Sequence, residues 1–411
     1  MAALPAVAAT PRRTRSLFGS DRIAGLDLAR GLAIIGMFAA HTLLTDEFDW
    51  VDASTWVDLV NGRSAVLFAT LAGISIAIIT GGRTPVDGVP LVQARVRILV
   101  RAALLFVLGG VLTALGTNVY VILEYYAVMF VLALPLVRVR PRRLFVLAGV
   151  LAVVMPVVRY MGASALSLSG GQPSEIGDLT LTGIYPALVW IAFVVAGLAI
   201  GRLDLASRLT QLRLLVVGTG ISVLGYGAGA LLVTAVGRFD VPQGGAYAED
   251  WAGLLDLRSF ATIAPHSGSP FEVVGAAGFA MAVIGLCLLI ARPLRYILFP
   301  VAATGAMALT AYSGQLVALS LLGRDYWTQG SNNAAIFWWL TVGTLVFCSV
   351  WTLLLGRGPL ERVLTSVSRR AAAIVARPSG FAQPTASIGD EPERSDRAGS
   401  IGVTHSGWRN T

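Results

Sequence analysis

Asp27, Arg30 and His41 are the ionisable residues of one apolar stretch, GLDLARGLAIIGMFAAH (25–41). An α-helix turns about 100° and rises about 1.5 Å per residue, so the three share an arc of about 60°, with Asp27 and His41 about 21 Å apart along the axis. Charge placed in hydrocarbon is costly, so such groups face a bundle interior or a wet cavity. Asp27 and Arg30 have the spacing of an intrahelical ion pair. That pair either locks helix one to a neighbour, or turns Arg30 towards an anionic ligand while Asp27 orients it. His41 supplies an imidazole that titrates near neutrality and can act as base, acid or nucleophile; the plainer reading is an interfacial histidine with a hydrogen-bond partner.

His266, in APHSGSPFE, offers the same chemistry a second time, whereas His405 lies in a polar tail. Glu124, in VILEYYAVMF, is a carboxylate at the edge of an apolar run. It is an acidic partner for one of the histidines or an interface group. Two histidines with scattered acids match no ligand spacing, so no metal is expected. Cys287 and Cys348 each sit inside an apolar run and suggest neither a disulfide framework nor a thiol metal site. GTGISVLGYGAGA (218–230) is glycine-rich but lies in an apolar run, where small residues let helices approach; it reads as a packing face and not a phosphate cradle.

The elements that must position these residues are membrane helices. Of 411 residues, 55% are apolar and 13% charged, with a mean hydropathy of +0.73, outside the range of soluble domains. Apolar runs long enough to cross about 30 Å of hydrocarbon are expected at 26–44, 64–80, 98–117, 121–137, 144–162, 183–201, 214–236, 271–290, 297–322 and 334–356. The fold class is therefore an all-α polytopic bundle of about ten transmembrane helices; an outer-membrane barrel would show short alternating strands instead.

Every one of the 31 basic residues is arginine, and their distribution sets the orientation. Arg12, Arg13, Arg15 and Arg22, then Arg83, Arg95, Arg97 and Arg101, then Arg138, Arg140, Arg142 and Arg143 fall in alternate connections. Arg202, Arg208 and Arg213, then Arg292 and Arg295, then Arg357 and its successors continue the pattern. The opposite side holds Arg63, Arg159, Arg238, Arg258 and Arg324. The positive-inside rule then puts both termini in the cytoplasm. A net charge of +8 explained by this asymmetry gives no reason to expect nucleic acid. Residues 1–22 form a basic cytoplasmic segment, 23–370 the membrane domain, and the Ser-, Gly- and Pro-rich 378–411 a disordered cytoplasmic tail. Residues 163–182 and 237–270 are longer than connection requires, and DWAGLLDLRSF (250–260) has the pattern of a short interfacial helix.

RIAGLDLARGLAIIGMFAAH, with Arg22, Asp27, Arg30 and Gly31, resembles the first helix of the transmembrane acyltransferases that include heparan-alpha-glucosaminide N-acetyltransferase and bacterial YeiB-type proteins. GRSAVLFATLAGISIAI, FPVAATGAMALTAYSGQ and RGPLERVL are similar to later signatures of the YeiB-type group. The resemblance implies transfer of an acyl group, acetyl in the type member, from cytoplasmic acyl-CoA to an extracytoplasmic sugar or lipid-linked sugar. It further implies that Arg30, oriented by Asp27, and Arg95, Arg97 or Arg101 meet the CoA phosphates. His41 would then be base or acyl carrier, with Glu124 or His266 assisting the acceptor. In the animal members the position matching His41 is an asparagine, and their histidine lies at the offset of Asp52. The expected setting is the plasma or inner membrane, with the lipid bilayer and the sugar acceptor as partners and a homodimer as a candidate assembly. The competing class is a multipass transporter or lipid flippase, marked by inverted repeats and broken helices, neither of which is evident in the sequence.

Overall fold

The computed structural model describes residues 23–43, 48–49, 51–171, 174–238, 256–323 and 333–375, and among these every regular element is helical. The basic segment 1–22, residues 250–255 of the expected interfacial helix, the tail 378–411 and His405 lie outside them. In chain order the helices are α1 (Ala24–Thr42), α2 (Arg63–Ile79), α3 (Gly88–Thr113), α4 (Leu123–Ala133) and α5 (Pro141–Leu168). They continue with a three-residue α6 (Glu175–Gly177), α7 (Ala187–Ile200), α8 (Arg208–Val236), a short α9 (Leu257–Ala261) and α10 (Pro270–Ile290). The last are α11 (Phe299–Ala306), α12 (Ala308–Leu322), α13 (Ala334–Leu354) and α14 (Pro359–Val375).

Among the described residues seven helices are long and apolar enough to cross a membrane, or up to nine if each of two bent pairs is one span. The chain is a multipass membrane protein. All ten expected runs contain helix, but 121–137 holds only the 11 residues of α4. Pro135 lacks a backbone donor, and the chain tightens there into a 3-10 turn, Leu134–Arg138. The sequence shows no broken helix, whereas the structure has two. Residues 175–182 meet α7 at 57°, and α11 meets α12 at 86° across Met307.

Burial separates an inner from an outer set. The apolar windows of α1 and α2 are 67% buried, against 17% for α8 and 11% for α13. Val216, Leu224 and Leu231 on α8 and Trp339 and Leu354 on α13 are exposed. In water such faces would aggregate; facing lipid they are matched to their solvent. Glycine sets the closest crossings. The 218–230 stretch packs against α10, where a Cβ on Gly225 would lie 2.5 Å from the Gly275 nitrogen. On α1, a Cβ at Gly31 would strike the Val301 carbonyl of α11, and one at Gly305 would strike the Asp27 carbonyl. The 86° break thus lays α11 across the start of α1 and sends α12 up towards its end.

Buried Arg202 ties the end of α2 to the 3-10 turn after α4: it donates to the carbonyls of Ala77, Gly82 and Val137 and to the Thr80 hydroxyl. Carbonyls at a helix C-terminus have no intrahelical partner, and a buried guanidinium supplies the missing donors.

Candidate functional site: two cavities on one helix

The two ends of α1 open into different cavities. At its N-terminal end a space of about 350 Å³ is lined by Asp27, Arg30, Ser75, Arg101, Arg357, Glu361 and Arg369, among others. At its C-terminal end a space of about 200 Å³ is lined by His41, Asn61, Gly62, Ser64, Asn118, Tyr120, Tyr185 and His266, among others.

In the arginine cavity, Arg30 forms an ion pair with Asp27 at 2.6 Å and donates to the Ser75 hydroxyl at 2.9 Å. Asp27 therefore holds the guanidinium in place, and Ser75 of α2 fixes its other edge. Arg101 reaches the cavity from α3, its Nε 3.5 Å from Ser368 Oγ on α14. The start of α14 is fastened by Glu361, which accepts from the Thr310 backbone N–H (3.0 Å) and hydroxyl (2.6 Å), just beyond the α11–α12 break. Four arginines against two carboxylates leave the lining cationic, as an anion site requires. Of the three α3 arginines expected there, Arg101 is in the lining, while Arg95 and Arg97 are not. Their Nε atoms are buried without a hydrogen-bond partner.

The four motif strings singled out in the sequence converge on this space. Asp27 and Arg30 come from the first, Ser75 and Ile78 from the second, Ala306 from the third, and Arg357, Glu361 and Leu364 from the last. Arg369 adds a residue that sequence reasoning placed only among cytoplasmic charges.

In the histidine cavity, His41 projects from the last turn of α1, and its Nδ1 lies 3.0 Å from Nε2 of Gln315 on α12. His266 arrives from the loop before α10 and is the only non-glycine residue with positive φ (61°) among the described residues. That conformation is uncommon for a side-chain-bearing residue and persists only where its surroundings enforce it. Here the enforcement is visible. Arg159, 2% exposed on α5, donates to the Ser267 carbonyl at 3.2 Å and to the Leu181 carbonyl at 3.2 Å. Ser269 caps α10 by accepting from the Glu272 N–H at 3.0 Å, with Pro270 in the first turn. The His266 ring lies parallel to Trp190 (12°, centroids 6.3 Å apart) and meets Tyr185 edge-on at 5.5 Å. Tyr185 reaches this point because the chain breaks before α7. The imidazole touches the cavity but is packed by protein on its other sides, so solvent does little to hold a charge on it, and burial pushes its pKa down to about 4. It is neutral at pH 7.

The structure brings His41 and His266 together, as the sequence left open. Glu124 is elsewhere: it accepts from the Thr113 hydroxyl at 3.1 Å, packs on Gly109, and is absent from the cavity lining. Asp52 caps the 3-10 helix Ala53–Val60 by accepting from the Ser54 N–H. It lines neither cavity. Sequence reasoning missed Gln315 and Arg159. Gln315 closes a quoted motif, but its register towards His41 depends on the Met307 break. Arg159 reads in the sequence only as an outer-side charge near the end of the run 144–162.

A family model described as heparan-alpha-glucosaminide N-acetyltransferase, catalytic, matches residues 22–232. Neither the comparison with curated proteins nor that with solved structures gives a match. The matched region contains Asp27, Arg30, His41 and Arg101 and stops before His266, Gln315, Arg357 and Arg369.

Proposed function

The chain belongs to the heparan-alpha-glucosaminide N-acetyltransferase family, and on that premise we propose that it moves an acetyl group from cytoplasmic acetyl-CoA to a sugar or lipid-linked sugar on the other side of a cell membrane. One observation carries the reading: a single helix joins a cationic cavity at Arg30 to an imidazole-lined cavity at His41. Residues 30 and 41 are about 16 Å apart by helical rise, a span that the extended arm of CoA can bridge. The phosphates of CoA stay at Arg30, Arg101, Arg357 and Arg369, where charge-assisted hydrogen bonds hold them, and Asp27 orients Arg30. Arg95 and Arg97 contribute field rather than contact. The thioester then reaches His41 and His266, and the acceptor enters from the side lined by Asn61, Asn118 and Tyr120. The positive-inside rule orients the arginine end to the cytoplasm.

The two imidazoles supply the proton handling and the charge stabilisation that acyl transfer needs. Glu124, engaged with Thr113, is assigned to packing. Transport is the second reading, because two broken helices are a transporter feature. Yet one break has a local use in the acetyltransferase reading, since it fastens α14 through Thr310 and aims Gln315 at His41. Mass spectrometry of envelope glycans and lipids from cells with and without this chain separates the two. An acyl mass that disappears with the chain supports the transferase, and an unmodified lipid or glycan trapped on the cytoplasmic side supports transport.

A further inference from the structure

Gln315 is 2% exposed and is not part of the cavity wall, so the Nδ1 edge of His41 is turned away from the cavity and Nε2 is the nitrogen left for it. An amide NH2 can only donate, so Nδ1 must accept from it, and a neutral imidazole then carries its proton on Nε2. The other face of the amide, Gln315 Oε1, is buried with no partner. Turning the amide over would leave both N–H donors of the NH2 unpaired, against one N–H and the oxygen as it stands, and a buried orphan N–H is the rarer and costlier kind. His266 differs in kind. Its Nδ1 is buried without a partner, while its Nε2 lies near Gly62 at the cavity wall.

We infer that Gln315 fixes His41 in the Nε2–H tautomer, so that His41 donates a hydrogen bond to the thioester carbonyl oxygen and His266 carries the proton. This rests on the acyl-transfer reading above and divides the labour within it. The acceptor hydroxyl or amine attacks the thioester carbonyl carbon, forming the new C–O or C–N bond, as its proton passes to Nε2 of His266. The negative charge that develops on the carbonyl oxygen is held by His41 Nε2–H. The C–S bond then breaks, the carbonyl re-forms, and the CoA thiolate takes the proton back from His266. Both histidines end as they began. Acceptance at Nε2 needs the neutral ring to carry its proton on Nδ1, a buried donor without a partner. The base form is therefore the less favoured tautomer, and burial disfavours the cation as well; the proton is passed on rather than kept.

Two measurements on the purified full-length protein test this. With 15N-labelled histidine, the His41 signals, identified by their loss in His41→Ala, should show Nδ1 unprotonated and Nε2 protonated, and Gln315→Leu should erase that preference. A protonated Nδ1 in the wild type overturns the inference. Kinetically, His41→Gln keeps an N–H donor near the Nε2 position but cannot act as a base. It should retain activity within about 10-fold of wild type, whereas His41→Ala should lose about 10²–10³-fold in kcat, the usual cost of removing one oxyanion donor. Equal loss in the two variants overturns the donor role. If the wild type releases no thiol from acetyl-CoA with an envelope glycan and lipid extract supplied as acceptor, the acyl-transfer reading itself fails, while the labelled spectrum still decides the tautomer.

Discussion

Arg159 Nη1 donates to the carbonyl oxygen of Ser267 at 3.2 Å, which ties the middle of α5 to the residue that follows His266. A buried guanidinium thereby holds the backbone that keeps His266 at φ 61°. Replacing it by methionine leaves buried carbonyls unpaired, at about 1–3 kcal/mol. It also frees the His266 loop. Arg159→Met should lower kcat by about 10²-fold, the scale expected for a misplaced catalytic group, with little change in the KM for acetyl-CoA. Steady-state thiol release checks both, and a rise in KM at unchanged kcat would place Arg159 at the donor instead.

The low basicity of His266 fixes a pH dependence. Its folded value of about 4 lies below the ordinary 6.5, so the folded state resists protonation. The sign follows: this group's contribution to stability is complete above about pH 6.5 and falls as the pH drops towards 4. Activity that needs the neutral imidazole should stay level from pH 7 to about 5 and fall near 4. A kcat/KM profile with its acid limb at 6.5 would contradict the burial of His266.

Gly62 begins the wall between the two histidines with φ 68°, and a Cβ there would lie 3.2 Å from Pro265 Cβ and 3.6 Å from His266 Nε2. Gly62→Ala should therefore destabilise the fold by about 1–3 kcal/mol through backbone strain. It should also slow the acceptor step by crowding Nε2. Thermal unfolding in detergent and turnover at saturating acetyl-CoA measure the two effects separately.

At the other cavity the expected signature is in binding. Arg101→Ala and Arg369→Ala should each raise the KM for acetyl-CoA by about 10-fold, as loss of a charge-assisted phosphate contact does, and the wild-type KM should rise with salt. Glu361 lines the same cavity, and Glu361→Gln should act in the same direction because it loosens α14 at Thr310. Isothermal titration with CoA distinguishes loss of affinity from loss of turnover.

How much of this was legible follows from which links are local. Helical periodicity and rise are properties of the chain alone, so Asp27, Arg30 and His41 could be put on one face of α1, and the Asp27–Arg30 pair is found at 2.6 Å. The apolar runs were legible for the same reason. The failures are tertiary. Nothing in VILEYYAVMF says that Glu124 turns to Thr113 rather than to a histidine. The approach of Gln315 to His41 needs an 86° break whose only local sign is the non-helical backbone of Met307. Arg159, inside the expected run 144–162 and counted only as an outer-side charge, proves to be buried on α5 with its donors on the Leu181 and Ser267 carbonyls, a role that membrane orientation does not predict. The seryl cap and glutamate in SGSPFE were a readable helix-start signal, and they explain why the loop carrying His266 ends where it does.

The decisive measurement is release of free thiol from acetyl-CoA by the purified protein, with an extract of envelope glycans and lipids supplied as acceptor, for wild type, His41→Ala and His266→Ala at matched folding. The prediction is turnover by wild type that requires the arginine cavity, with both histidine variants reduced by at least about 10²-fold while still binding CoA. No CoA binding and no thiol release by folded wild-type protein, or full activity in both histidine variants, would contradict it.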